Sequence, residues 1–518
     1  MMDTERSKAK TNVVIVGAGP TGLSLGVQLL RYNIDFLLLE KNEKTTHLSK
    51  AIAVQARSLE IFQELGLADK AIQEGQLTTA MNLFYKGKQK ASVDLAGLGA
   101  GLSPFPFALS LEQSKTEKLL VDFLAAHQRE VQWNTAFMHY TQGNNGVTVY
   151  YKDSKGLEQK IEADYLVGCD GAGSLVRREM GASFEGSTRP RLFYVADVVL
   201  NSTVINKNEL FMYMIQKGFV LFFPMEGAGH YRIVGVLPDA DTTTENTDTA
   251  YTFEGIAQTI KQQIVSPVEF KELRWFSTYK VHSRKADRFM NGRCFIAGDA
   301  AHIHTPAGGQ GMNTGIQDAY NLAWKIAYAL RGEINDETLK TYHEERSANA
   351  KRLLQTTDRV FDIMAGTTAF WSFIRLHFFS RIISLIATNT WVQKRFFPFL
   401  SQTGITYTNS YLTIKSAIGK AKAGVRMPYF IFSDGKSIFD YLTDPAFKIL
   451  FFGNDENSRQ SFSNEKIKIV AHRFREVPKA IFANETNFYI LLRPDNHISY
   501  IGKDGDTCRM LIDKITHK

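Results

Sequence analysis

The chain has 518 residues, 44% hydrophobic and 22% charged, with a formal net charge of +8. That length and apolar content describe an ordinary globular protein of two or three domains with a large core. The charge is modest, and no run of five or more Lys/Arg points to nucleic acid. The surplus reads either as a solvated lysine-rich surface or as a mild attraction for an anionic dinucleotide or acidic substrate. Cys169, Cys294 and Cys508 lie far apart without a C-x-x-C, which argues against a disulfide framework and fits a reducing cytoplasm. Cys169 and Cys294 stand in apolar runs, as buried inert thiols do.

The start, MMDTERSKAKTN, lacks the apolar core of a signal peptide. Val13–Val16 is a continuous β-branched run, as in a strand buried on both faces, followed by a glycine turn and a helix to Arg31. Asp35–Leu39 is the second buried strand, ending at Glu40 and completing a βαβ unit. ARSLEIFQELGLADKAIQEG is helical, AGLGAGLSPFPF is a Gly/Pro loop without a strand-to-helix context, and QSKTEKLLVDFLAAHQ is again helical. ADYLVGCDGAGSLVRREMG returns to strand, turn and helix.

Residues 182–281 are rich in short strand patterns and read as a β-sheet substrate domain inserted into the nucleotide-binding fold, with DADTTTENTDT as an exposed loop. RCFIAGDA re-enters the nucleotide-binding fold, and GIQDAYNLAWKIAYAL is a long amphipathic helix. The greasy stretch Ala369–Leu400 is broken by Arg375 and Arg381. Its uncharged run Ile382–Gln393 is shorter than the roughly 20 apolar residues of a spanning helix. It is expected to form helices covering another domain or a subunit, in preference to a membrane-surface contact. From Gly424 the strand patterns FKILFFG, IKIVAHRF and NFYILLRPDNHISYIG mark a separate α/β domain.

Gly17, Gly19 and Gly22 form G-x-G-x-x-G between strand and helix: one glycine for the tight turn, one for close approach of a pyrophosphate, one for helix–strand packing. Glu40 is placed to accept from ribose hydroxyls, which fits a free 2′-OH, as in NAD or FAD. A second flexible cradle, GDAAHIHTPAGGQGMNTG, follows a buried strand and runs into a helix beginning near Met312. Asp299 is placed for a sugar or ribityl hydroxyl, and the N–H groups around Gly311, Met312 and Asn313 for an electron-rich ring edge. A plain NAD dehydrogenase has no use for this second cradle, so a flavin is the expected ligand.

The G-x-G-x-x-G, YLVGCDGAGSLVR and FIAGDAAHIHTPAGGQGMNTGIQDAYNLAWKIA together resemble, in order and spacing, the three signatures of class A flavoprotein monooxygenases, aromatic hydroxylases with the para-hydroxybenzoate hydroxylase fold. The resemblance spans about residues 1–360. The C-terminal part resembles the thioredoxin-like extension of the phenol-hydroxylase and polyketide-hydroxylase branch. It implies an α/β chain with a Rossmann-like FAD-binding domain (1–181 and 282–368, part of 75–115 facing the substrate), the inserted substrate domain (182–281), a helical connector (369–423) and a thioredoxin-like domain (424–518). It also implies FAD contacts at Gly17, Gly19, Thr21, Gly22, Glu40, Lys41, Arg57, Gln113, Asp170, Asp299, Pro306, Gly309, Gly311, Met312 and Asn313. Asp170 and Gly171 match a motif shared with NAD(P)H binding, with Arg177 near it. Ala172-Gly173 departs from the Ala-His of many relatives, so no role passes to a histidine there. Arg57 would look the same if it formed a helix-surface salt bridge.

Lacking paired cysteines, the C-terminal domain is expected to be structural or an oligomer contact. His282, His302 and His304 offer no third convergent ligand for zinc, and Ser174 and Ser277 lack the G-x-S-x-G elbow of a hydrolase. Tyr213, Phe223, Tyr279 and Arg284 are candidates for the substrate pocket, each equally readable as a core or surface residue of a sheet. The implied activity is FAD-dependent hydroxylation of an aromatic or phenolic substrate with NADH or NADPH and O₂ through a flavin hydroperoxide. A homodimer in the cytoplasm is expected. The alternatives are an antibiotic- or polyketide-modifying monooxygenase, and a flavoprotein that binds a partner without turnover; the W-x-W-x-I-P signature of a halogenase is absent.

Overall fold

The β-branched run near the N-terminus becomes the strand Lys10–Val16, at the centre of an eight-stranded sheet in a computed structural model. The structure describes residues 10–46, 51–205, 208–215, 218–237, 251–306, 308–366, 368–374, 380–454, 462 and 464–517. The expected loop at 239–249 lies outside them. Lys10–Val16 pairs in parallel with Phe36–Leu39 on one side and with Glu158–Gly168 on the other. Cys294–Ile296 continues the parallel order beyond Glu158–Gly168, and Val131–Gln132 does so beyond Phe36–Leu39. Val13, Val14 and Ile15 have no exposed surface, because a parallel sheet covered on both faces needs apolar residues at consecutive positions. The carboxyl ends of three of these strands deliver Gly17, Asp170 and Gly298 to one edge, the usual place for a ligand in an open α/β sheet.

A second eight-stranded sheet runs in the order His302–Ile303, Glu269–Ala286, Phe184–Asn201, His230–Val236, Gly218–Pro224, Leu210–Ile215, Ala80–Tyr85 and Lys88–Asp94. Ala80–Asp94 thus joins this sheet from far upstream. The strand Glu269–Ala286 crosses the expected 281/282 junction unbroken. Side chains alternate between two burials. One face packs Tyr194, Phe211, Tyr213, Phe222 and Ile233 under the helix Phe253–Ile264. The other turns Phe193, Met212, Met214, Phe219 and Leu221 toward the first layer.

The C-terminal unit has four strands in the order Ile469–Phe474, Phe447–Phe452, Phe488–Leu492, Ile498–Gly502, the first pair parallel and the others antiparallel, followed by the helix Gly505–Thr516. This is the mixed α/β unit that the thioredoxin-like reading expects. Its Cys508 is buried and its thiol pushed up to about 12 by that burial, so it is inert. The unit docks through buried charge. Arg493 makes a bidentate pair with Glu345, at 2.5 and 3.0 Å, and also contacts Asp495. Lys325 Nζ and Ser410 Oγ donate to the same Glu345 carboxylate, at 2.8 and 2.6 Å. Helices Ala369–Ile374, Ser380–Thr388 and Thr390–Leu400 connect the layers, and no helix among the described residues is long and apolar enough to cross a membrane.

Candidate active site

The first glycine turn is shaped by contact. Gly17 has φ +102°, and a Cβ there would lie 2.5 Å from the Cys169 carbonyl oxygen. A Cβ on Gly22 would meet the Gly17 carbonyl at 1.9 Å, whereas one on Gly19 meets nothing within 4 Å. Backbone on both sides closes the first and third positions, and the second faces open space. The helix Pro20–Arg31 starts there with no side-chain cap. The N–H groups of Thr21 and Gly22 therefore have no intrahelical acceptor, which suits a pyrophosphate.

Glu40 is buried and braces this turn: its carboxylate accepts from the Ala18 N–H at 2.7 Å, the Asn42 N–H at 3.0 Å and Asn42 Nδ2 at 2.6 Å. A carboxylate has about four acceptor positions, so capacity is left for a ribose hydroxyl. Lys41 beside it is exposed. Gln113 opens the helix Gln113–Ala126 and donates to Glu117 at 2.8 Å.

Asp170 caps the short helix Leu175–Glu179, accepting from Ser174 Oγ at 2.5 Å and from the Leu175 and Val176 N–H groups. Arg177 then reaches across to donate to the carbonyls of Ala172 and Ala300, at 2.9 and 2.8 Å. The shared motif and the turn bearing Asp299 are tied together by this one guanidinium.

The second cradle meets the first at Thr21. A Cβ on Gly298, at φ +61°, would stand 2.4 Å from Thr21 Oγ1, and one on Gly315 would stand 2.2 Å from the same atom. Two glycines thus allow the helices Pro20–Arg31 and Gly311–Leu330 to close around one threonine. Asp299 is exposed in the turn Gly298–Ala300, and Pro306, Gly308 and Gly309 are exposed beyond it. Asp318 holds this turn from beneath, accepting from the Gly298 N–H at 2.9 Å, His302 Nε2 at 2.7 Å and Arg346 Nε at 2.5 Å. Burial alone would raise the Asp318 carboxyl, but Arg346 and His302 hold it down to about 2.

The Asn313 side chain has work apart from the ring-edge N–H expected of it. Its Oδ1 accepts from the Gln55 N–H and Ser58 Oγ, both at 2.8 Å, and its Nδ2 donates to the Ala53 and Gly309 carbonyls at 2.8 and 3.0 Å. The side chain is committed to splicing the segment 53–58 onto the loop. What it and its neighbours Gly311 and Met312 offer a ligand is backbone N–H at an uncapped helix start.

The fit to a polar ring system is tested by what the loop leaves over. His304 Nε2, Thr305 Oγ1 and Gln310 Oε1 are buried without a partner, all within this one loop. Burial lowers His304 to about 4. The imidazole is therefore neutral at physiological pH, and with Nδ1 against the Thr305 carbonyl at 2.8 Å its Nε2 is an acceptor. An open Gly19, uncapped helix starts on both sides of Thr21 and three orphaned polar atoms fit a long polar cofactor with an aromatic end.

Other expected residues fall elsewhere. Arg57 is buried, with Nη1 on Glu60 at 3.0 Å and Nη2 on the Asp495 carbonyl at 3.0 Å. Its guanidinium ties the first layer to the C-terminal unit. Burial opposes its charge, and Glu60, Tyr320 and Glu64 together more than offset this. Tyr213 stacks on Phe84 at 4.9 Å and donates to Ser266 on the helix-covered face of the second sheet. Tyr279 packs on Phe193, which packs on Phe361 of the helix Asp336–Ala365. Arg284 donates to Thr188 Oγ1 at 3.0 Å near the sheet's end. Only Phe223, half-buried, shares a face and a row with something new.

That row is Phe223, Arg232, Asp197 and Trp275, aligned across four strands on the side facing the first layer. Arg232 Nε and Nη2 each donate to Asp197 at 2.6 Å, and Nη1 lies 3.5 Å from the Ala51 carbonyl, next to the strand Ala53–Val54 that borders Gly309. The sequence carried a signal for the pair: a lone Asp and a lone Arg at inward positions of apolar strands, in FYVADVVL and YRIVGV.

Fold and site define an α/β protein in which two glycine turns meet at Thr21, with a separate sheet packed on the first layer. A model of the FAD-binding domain family matches residues 10–357. The chain is 30% identical over 518 residues to 6-methylpretetramide 4-monooxygenase of Streptomyces rimosus, covering 96% of this chain and 91% of that one. It is 30% identical over 361 residues to pentachlorophenol 4-monooxygenase of Sphingobium chlorophenolicum, covering 69% and 66%. Among solved structures, an anhydrotetracycline hydroxylase from Streptomyces rimosus matches with a TM-score of 0.77 at 25% identity, covering 98% of this chain and 99% of that one. The chain belongs to the FAD-binding family of class A flavoprotein monooxygenases.

Proposed function

We propose that the protein hydroxylates an uncharged, largely apolar aromatic substrate, using NADH or NADPH and O₂. The observation that carries the cofactor side is the convergence of both glycine turns on Thr21. When bound, FAD supplies the redox chemistry, accepting hydride and activating oxygen. The residues around it bind and orient. Glu40 takes a ribose hydroxyl, the Thr21 and Gly22 N–H groups take the pyrophosphate, and Asp299 takes a ribityl hydroxyl. The N–H groups of Gly311, Met312 and Asn313 hold the ring edge, aided by the His304 acceptor.

The substrate lies over this ring, against the sheet face carrying Met212, Met214, Leu221 and Phe223, which excludes water. Arg232 is already matched by Asp197, so the face offers no spare positive charge from that residue to a carboxylate. A polycyclic polyketide is the second candidate, favoured because the alignment with the pretetramide relative runs through the C-terminal unit. A cytoplasmic location belongs to this reading, supported by three separate buried thiols.

The test is anaerobic reduction of the purified yellow protein by NADH and by NADPH, with and without simple phenols and polycyclic polyketides, followed by oxygen and product analysis. Substrate-stimulated flavin reduction and a hydroxylated product are expected. Bound FAD with silence across the panel would instead favour a flavoprotein without turnover.

A further inference from the structure

The connecting helices are apolar on more than the side that faces protein. In Ser380–Thr388, Ile383 and Ile386 are buried, and the helix lies on the strand Lys88–Asp94. Ile382 and Leu385, three apart and so on one face of the same helix, are half exposed. Phe370 and Phe373 repeat that spacing in Ala369–Ile374, with Phe370 62% exposed, and Trp391 is 63% exposed in Thr390–Leu400. Large apolar side chains grouped on the outer side call for an apolar surrounding there as well as within. Here the protein supplies one side. The sequence expectation that this stretch covers another part of the chain accounts for the inner half alone.

Charge says what meets the outer half. Between Asp362 and Asp434 the sequence has no Asp or Glu, and the helices expose Arg381, Lys394 and Arg395. Lys394 and Arg395 are exposed on the same face as Trp391, and the Arg395 guanidinium sits 4.5 Å from the Trp391 ring centroid. Exposed aromatics and aliphatics interleaved with cations, without a nearby acid in sequence, match an interface whose headgroups are anionic and whose interior is apolar. A second copy fits less well: a two-fold interface pairs this patch with itself, and its sequence carries Lys394 and Arg395 with no Asp or Glu to match them.

We propose that the outer face of these three helices docks the protein on an anionic lipid bilayer, lying in the interface without crossing it. The face is joined to the cofactor cradle: Gln310, which precedes the helix Gly311–Leu330, donates to the Phe399 carbonyl at 3.1 Å. Docking does not depend on the oxygenase reading, and its test needs no turnover.

The experiment is flotation of the FAD-loaded full chain with phosphatidylcholine vesicles, with and without phosphatidylglycerol. Co-flotation with the phosphatidylglycerol vesicles alone is expected, weakened by salt, with a blue shift of tryptophan emission that Trp391→Phe removes. Lys394→Glu with Arg395→Glu should lower partitioning about tenfold or more. Ile382→Ser with Leu385→Ser should lower it at every salt concentration, and retained yellow colour reports that each variant is folded. No flotation of the unaltered protein overturns the proposal. So does equal binding to neutral vesicles, or a concentration-dependent dimer in sedimentation that Trp391→Ala dissolves, which would put a second copy on the face.

Discussion

Replacing Gly315 with alanine probes the junction of the two cradles directly. The new Cβ falls 2.2 Å from Thr21 Oγ1, where unstrained contacts stand at about 3.5 Å. Overpacking of that kind costs about 1–3 kcal/mol. Gly315 lies inside the helix Gly311–Leu330, so alanine returns about 1 kcal/mol of backbone entropy. The expected net loss is up to about 2 kcal/mol. FAD affinity should fall by as much as about tenfold as the helix start is displaced. Thr21→Ala removes the clashing oxygen and leaves Cβ, which stands at 3.4 Å in the unaltered protein. In that background Gly315→Ala should become neutral or stabilising, by as much as about 1 kcal/mol. Urea unfolding of all four members of the cycle, with FAD titration by flavin fluorescence, measures both quantities. A coupling below about 0.5 kcal/mol, or the same sign in both backgrounds, would refute the convergence at Thr21.

Arg493→Met removes the bidentate partner of Glu345 and the neighbour of Asp495, and should cost about 3–5 kcal/mol in equilibrium denaturation; Arg493→Lys should recover little of it, since an ammonium has no planar fork. Stability should also fall with acid in two stages. His304 has its folded value near 4 through burial against about 6.5 unfolded, so the unfolded chain takes up the proton first and stability drops as pH falls from about 6.5 to 4. Asp318 and Glu345 are both held near 2, against their own burial, chiefly by Arg346 and Arg493 respectively. Their contribution, on the order of 2 kcal/mol each, is present above the unfolded values and is lost toward pH about 2. Denaturation midpoints across that range check both stages: His304→Leu should flatten the upper one, and a flat profile from neutrality to pH about 4 would contradict the first.

How much was legible in the sequence follows the range of the interactions. The first glycine turn could be read because its causes are local: a β-branched strand, three glycines and a helix within one short stretch, with Glu40 at the next strand's end. The signature around Asp170 was equally plain, though its carboxylate is a helix cap and Arg177 is the group that reaches the other turn. What sequence order concealed is pairing across distance. Nothing near Thr21 announces Gly298 or Gly315, and nothing in the helix beginning at Ala56 announces that Arg57 faces Asp495. Tyr213 and Phe223 looked alike as aromatics in strands. Only the side of the sheet on which each falls separates a core ring under a helix from one facing the cofactor layer.

The ion knot at Glu345 also bears on how the protein is made. Glu345 and Arg493 are 148 residues apart, so a ribosome exposes the acid, its lysine and the whole helix that begins the ring cradle well before the guanidinium that neutralises them. Until Arg493 emerges, Lys325 and Glu345 must stay hydrated, and the far end of that helix has no settled seat. The buried charges of the helices Gly311–Leu330 and Asp336–Ala365 thus find their last partner only in the final stretch of chain to be made.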